Sequence, residues 1–199
     1  SLRAGWDPPK VLPGEIASGP AAADLDGDGD LEVVITGGSQ VGGQGIGSVV
    51  AFRPDGGILW QFAGMGDVTP ADGQPDAVVG TPALGDLNGD GRSDVAFGSF
   101  DFKAYVLDGT NGTILPGWPQ DLRDTIWPSP AMADLDGDGK LEIIFGADTH
   151  PEGPPVDTPY GGALWVFRAD GTHFPGFPRF AVSPAPPPDP VGIHSSPAV

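Results

Sequence analysis

Apolar and polar positions follow one another along this chain in short runs, and the runs return in the same order. Leu31-Glu32-Val33-Val34-Ile35, Asp94-Val95-Ala96-Phe97 and Leu141-Glu142-Ile143-Ile144-Phe145 are rich in β-branched and aromatic residues and predict strands. A second set predicts further strands: Gly47-Ser48-Val49-Val50-Ala51-Phe52, Lys103-Ala104-Tyr105-Val106-Leu107 and Ala163-Leu164-Trp165-Val166-Phe167. Each leads into a turn signal, Pro54-Asp55-Gly56, Asp108-Gly109-Thr110-Asn111-Gly112 or Asp170-Gly171, and then to a last strand such as Ile58-Leu59-Trp60-Gln61-Phe62. A small-residue run opens each unit: Pro20-Ala21-Ala22-Ala23, Pro82-Ala83-Leu84-Gly85, Pro130-Ala131-Met132-Ala133, and again Pro197-Ala198-Val199. The unit therefore reads as four strands, with a further copy cut short at the end.

Between the first and second strands of every unit lies a polar stretch of another kind. Asp24-Leu25-Asp26-Gly27-Asp28-Gly29-Asp30-Leu31-Glu32 returns as Asp86-Leu87-Asn88-Gly89-Asp90-Gly91-Arg92-Ser93-Asp94 and as Asp134-Leu135-Asp136-Gly137-Asp138-Gly139-Lys140-Leu141-Glu142. Each copy places an oxygen side chain at positions 1, 3, 5 and 9 and glycine at 4 and 6. A hard cation such as calcium takes six to eight oxygens at about 2.3–2.6 Å, and acceptors alternating on a tight glycine turn can point at one centre. Position 7 is Asp30, Arg92 or Lys140; it offers a backbone carbonyl, which leaves its identity free. An EF-hand shares positions 1, 3, 5 and 6 but closes with a bidentate Glu at position 12 between helices. Here position 12 is Ile35, Phe97 or Phe145, inside a predicted strand, so the carboxylate at position 9 closes a shorter loop. A single acidic turn would read as a solvated hairpin; three copies with one acceptor spacing point to metal.

Successive loops begin 62 residues apart (24 to 86) and then 48 (86 to 134). A fixed unit with variable inserts is the mark of a repeat architecture. Four short antiparallel strands per unit make the blade of a β-propeller, with the small-residue strand suited to the crowded centre. The expected fold is an all-β propeller of about three blades plus partial flanking ones. Residues 1–19 form the tail of a preceding blade, 20–80, 81–128 and 129–195 the three blades, and 196–199 the first strand of a following one, all in a single propeller domain. In such a meander the acidic loops and the three-to-four turns share one face. The inserts Gly37–Gly47, Ala63–Gly80, Ala147–Gly161 and Arg179–Ser195 fall on the other, where variable loops commonly carry function. Closed propellers have typically four to eight blades, so the rest must come from the same longer chain or from a homo-oligomer.

Composition narrows the reading. The 199 residues include 33 Gly and 24 Pro, which between apolar runs indicates a turn-rich β protein rather than a disordered one. The net charge of −18 argues against nucleic acid or an anionic membrane as partner. No run approaches the roughly 20 apolar residues of a membrane-spanning helix. Cysteine is absent, which excludes disulfide and thiolate chemistry. His150, His173 and His194 match no metal or catalytic spacing. Trp60 and Trp165 sit in strand runs, and Trp118 and Trp127 flank a junction, where packing is the first expectation. Gly42–Gly47 lacks the Lys-Ser/Thr of a phosphate loop.

The acidic loop, preceded by Pro-Ala-x-x-Asp and followed by a strand ending in Phe97-Gly98 or Phe145-Gly146, resembles the FG-GAP/VCBS repeat. That repeat builds the calcium-binding propeller of integrin α subunits and of many secreted bacterial proteins. The resemblance implies about three Ca²⁺ per chain and a ligand face opposite the metal face. Carried over, the ligands would be Asp24, Asp26, Asp28, the Asp30 carbonyl and Glu32 in the first loop. In the second they would be Asp86, Asn88, Asp90, the Arg92 carbonyl and Asp94. In the third they would be Asp134, Asp136, Asp138, the Lys140 carbonyl and Glu142. Glu in place of the usual final Asp bears on denticity in the first and third loops, and Asn88 predicts the weakest site in the second. The expected function is a non-enzymatic, secreted or cell-surface module that recognises an extracellular protein or carbohydrate. The alternatives are a propeller enzyme such as a polysaccharide lyase, or a structural piece of a surface assembly. With nine Lys and Arg and two Tyr, the chain is poor in the groups a lyase needs.

Overall fold

The structure is a computed structural model, and it describes residues 5–6, 9–10, 16, 18–38, 47–67, 76–149, 161–182 and 196–197. Among these there is no helix; twelve strands form three four-stranded antiparallel sheets. The first sheet holds β1 (Ala21–Ala23), β2 (Glu32–Gly37), β3 (Ser48–Phe52) and β4 (Ile58–Phe62). The second holds β5 (Ala83–Gly85), β6 (Asp94–Gly98), β7 (Lys103–Leu107) and β8 (Gln120–Asp121). The third holds β9 (Ala131–Ala133), β10 (Glu142–Thr149), β11 (Gly161–Phe167) and β12 (Arg179–Val182). Within each sheet the strands neighbour one another in chain order, so each is an up-and-down meander. The register repeats too: Ala23 faces Glu32, Gly85 faces Asp94, and Ala133 faces Glu142. Position 9 of every acidic loop is thereby the first residue of a paired strand.

The sheets are held together by two apolar seams that follow from the period-two geometry of strands. Val95, Phe97, Tyr105 and Leu107 of the second sheet pack with Val34, Val49, Ala51 and Trp60 of the first. The intervening residues, Ala96, Ala104 and Val106, pack with Ile143, Phe145, Trp165 and Phe167 of the third. A blade with neighbours on both sides buries both faces, which is why β6 and most of β7 carry continuous apolar runs. The Phe97 and Tyr105 rings stack at 5.2 Å. Trp60, Trp118 and Trp165 are buried in these seams, as expected of packing residues.

Two sets of polar bonds cross the seams in a repeating way. Trp6, Trp60 and Trp118 each donate their indole N–H to a turn carbonyl of the next sheet, Pro54 at 2.9 Å, Gly109 at 2.6 Å and Ala169 at 2.9 Å. Nearer the centre, the residue before each opening proline donates its backbone N–H to the hydroxyl of its counterpart one unit on. Gly19 bonds Thr81 at 3.0 Å, Thr81 bonds Ser129 at 2.8 Å, and Ser129 bonds Ser196 at 3.1 Å. The inner strands β1, β5 and β9 lie side by side. There is little room between them: a Cβ on Gly85 would come within 2.7 Å of Leu141 and 2.9 Å of Met132.

The structure shortens the expected inserts: Gly37 ends β2, Ala147–Thr149 lie in β10 and Gly161 opens β11. Arg179–Ser195 was expected to be a loop, but Arg179–Val182 forms β12 and pairs with Gly161–Leu164. The cause is the Gly176-Phe177-Pro178 corner. The chain bridges back once at Phe167 and His173, turns through the corner, and only then resumes the ladder, since proline has no N–H to give to it. Gly117-Trp118-Pro119 does the same before β8, after a bridge between Leu107 and Ile114. These motifs therefore introduce the fourth strand of their sheets. His150, His194, the Gly42–Gly47 run and residues 183–195 lie outside the described residues.

Candidate metal centre

Each acidic loop is a tight turn built around its first aspartate. The glycines at positions 4 and 6 have φ between 79° and 91°, a region that side-chain-bearing residues rarely adopt. That conformation turns their N–H groups inward. Asp24 accepts from Gly27 at 2.7 Å and Gly29 at 3.0 Å, and Asp86 accepts from Gly89 at 2.7 Å and Gly91 at 2.9 Å. Asp134 accepts from Gly137 at 2.7 Å and Gly139 at 2.9 Å. The aspartate at position 5 accepts from the N–H two residues on, at 2.8 Å in all three loops. The carboxylate at position 9 reaches back to the N–H at position 2: Glu32 to Leu25 at 2.9 Å, Asp94 to Leu87 at 2.9 Å, and Glu142 to Leu135 at 2.8 Å. One hydrogen-bond pattern thus holds three loops whose position 7 differs in charge.

The loops differ in what they bring together. Carboxylate oxygens of Asp24, Asp26 and Glu32 lie within 4.8 Å of one another, as do those of Asp134, Asp136 and Glu142. Asp28 and Asp138 belong to neither cluster. In the second loop Asn88 occupies the place of the third acid. Its Oδ1 accepts from Asp90 N–H at 2.8 Å, and its Nδ2 donates to Asp90 at 3.4 Å and Asp94 at 3.3 Å. A neutral donor at position 3 thus links the carboxylates at positions 5 and 9 of this loop.

Position 9 carries the electrostatic cost of these sites. Glu32, Asp94 and Glu142 are buried. One oxygen of Glu32 bonds Leu25, while Oε1 is buried with no hydrogen-bond partner. Burial pushes the Glu32 carboxyl above its ordinary range, and the charges of Asp26, Asp28 and Asp24 push it further. Burial likewise raises Asp94 to about 6, against hydrogen bonds from Leu87, Asn88 and Gly109, with Asp108 adding to the rise. The donor set contains oxygen alone, without histidine or cysteine, and suits a hard divalent cation better than zinc or copper.

The three-to-four turns also reach these sites. Gly109 N–H points at Asp94 Oδ1 at 3.4 Å, and Arg168 Nη2 lies 3.8 Å from Asp136 Oδ2. The alternation of loops placed the turns on this face; nothing local marked Arg168 as a neighbour of Asp136. On the other side, the two-to-three loop of the second sheet meets the connections between sheets. Phe100 N–H bonds the Ala77 carbonyl at 3.0 Å, and Ile126 N–H bonds that of Ser99 at 3.3 Å.

Residues 86–145 match the FG-GAP-like repeat, and residues 127–167 match the FG-GAP repeat. The chain carries FG-GAP repeats. These matches span the second and third acidic loops, and the first loop shares their spacing and hydrogen bonds. Among solved structures, the C-terminal domain of Pseudomonas aeruginosa PilY1 superposes with a TM-score of 0.50 at 18% identity, over 78% of this chain and 39% of that one. This likeness bears on fold alone and fits a propeller-like all-β architecture. A chain from the crystal structure of BBS1N in complex with ARL6DN gives 0.45 at 10% identity, over 89% of this chain and 58% of that one. The chain spans about two fifths of the PilY1 domain it matches. No curated protein matches the sequence. No helix among the described residues is long and apolar enough to cross a membrane.

Proposed function

We propose that this chain is a calcium-stabilised propeller module of a secreted or cell-surface protein. Its acidic loops hold Ca²⁺ for structural reasons, and the opposite, insert-bearing face recognises an extracellular protein or carbohydrate. The observation that carries the metal reading is Glu32 Oε1: a fully buried carboxylate oxygen without a hydrogen-bond donor, in a cluster with Asp24 and Asp26. Burying an unpaired anion among like charges is costly, and a cation bound by the cluster would offset that cost. In the first loop the ligands would be Asp24, Asp26, Asp28, the Asp30 carbonyl and Glu32, with the equivalent positions serving the other two. Oxygen-only loops in extracellular modules fill at calcium of about 10⁻⁴–10⁻³ M, which suits a protein working outside the cell.

The test is Glu32→Gln, because it gives opposite signs with and without metal. Glutamine keeps an acceptor for Leu25 N–H and turns the unpartnered oxygen into a donor facing carboxylates. In a chelator the variant should melt a few degrees above wild type, for a gain of about 1 kcal/mol. In saturating calcium it should melt below wild type, since one filled site stabilises by about 2.7 kcal/mol when the ion exceeds its Kd a hundredfold. Equal shifts in both buffers would overturn the metal assignment of that loop.

A further inference from the structure

We infer that Arg92 is a built-in counter-cation of the first acidic loop, lowering its affinity for divalent metal and stabilising it when empty. The inference rests on the metal reading of that loop. Arg92 stands at position 7 of the second loop, yet its side chain lies over the first: a Cβ on Gly27 would sit 2.9 Å from Nε, 3.5 Å from Nη2 and 3.6 Å from Cζ. Gly27 is flanked by Asp26 and Asp28 in the loop that holds five of the chain's carboxylates, more than either other loop. The contact is particular to this pair. Cβ atoms on Gly89 and Gly137, the same position in the other loops, would meet nothing within 4 Å, so Lys140 does not approach Gly89 in this way.

The third loop obtains its cation differently, from Arg168 of its own sheet, 3.8 Å from Asp136. The counterpart of Arg168 in the first sheet is Arg53; both reach the carbonyl across their turn, His173 at 3.5 Å and Ile58 at 2.8 Å, but Arg53 forms no ion pair among the described residues. The guanidinium of Arg92 supplies the missing positive charge from the neighbouring blade, and the glycine at position 27 leaves it room. A positive charge lying over the loop, exposed to solvent as Arg92 is, repels a divalent ion bound there and attracts the carboxylates of the empty loop. Because the backbone of Arg92 belongs to the second loop, one residue links the two sites.

The experiment is a calorimetric calcium titration of the 199-residue chain as wild type, Arg92→Ala, Arg92→Lys and Glu32→Gln, at low and high salt. Arg92→Ala should tighten, by about three- to tenfold at low salt, the site that Glu32→Gln removes, and the gain should shrink as salt screens the charge. Arg92→Lys should bind as wild type does. In chelator, Arg92→Ala should melt below wild type. Unchanged or weaker affinity in Arg92→Ala, with Glu32→Gln still removing a site, would overturn the coupling and leave the calcium reading standing. A wild type that takes up no calcium would overturn both.

Discussion

Tyr105 and Glu32 are buried oxygen-bearing side chains that differ in whether their partner is present. The Tyr105 hydroxyl donates to Asp101, whose carboxylate also accepts from Gly66 N–H at 2.7 Å. Burial, then the hydrogen bond and charge of Asp101, hold the phenol far above its ordinary value of 10.0. A raised folded pKa means that stability is fully present below the unfolded pKa, near 10, and is lost as pH climbs above it. Denaturant midpoints should therefore fall above pH 10 in wild type. In Tyr105→Phe they should start about 1 kcal/mol lower at pH 7 and fall less steeply; parallel curves would show that Tyr105 does not set the alkaline limit. At this scale the sequence revealed chemistry that repeats. Positions 1, 3, 5 and 9 were visible because three copies agree. The Tyr105–Asp101–Gly66 link occurs once among the described residues and leaves no pattern. Arg92 was read as contributing only a carbonyl, because a contact with Gly27 in the preceding unit has no local signature.

At the scale of elements, strand boundaries were legible where alternation ran straight into a turn signal. Ile58–Phe62 and Lys103–Leu107 are strands over just those residues. The fourth strands of the second and third sheets were not, because a bridge, a glycine turn and a proline come between them and the third. Trp60 was legible as a strand residue, but nothing near it in the chain showed that its indole N–H crosses to the next sheet. Trp60→Phe tests that crossing. The ring can still pack, but the Gly109 carbonyl loses its donor in a buried setting, so stability should drop by about 1–2 kcal/mol. Urea unfolding with an unchanged m-value and a lower midpoint is the expected result. An unchanged midpoint would mean that the bond adds nothing beyond ring packing.

For the whole molecule, charge is the controlling quantity. Three divalent ions would add six positive charges and bring −18 to −12. Native mass spectrometry from calcium-containing volatile buffer should show about three ions per chain, one for each oxygen-rich loop. Chelation should remove them and lower the melting temperature, more at low ionic strength, where the clustered carboxylates repel less screened. Two ions rather than three would single out the second loop, where Asn88 already bridges Asp90 and Asp94. The blade architecture was readable because each repeat must bury its faces against a neighbour.

The hydroxyl relay near the centre has a consequence for how such a molecule can change length. Each unit is registered to the next by a main-chain N–H, which every residue but proline has, meeting a serine or threonine just before the opening proline. Donor and acceptor belong to the same position of the repeat. A unit cut out between two such positions therefore leaves ends that still fit each other, and a duplicated unit brings its own donor and acceptor with it. Gly19 donates to Thr81 but has no hydroxyl to receive a bond in turn. At Gly19 the relay therefore has a donor and no acceptor, and Gly19→Ser would supply the missing hydroxyl.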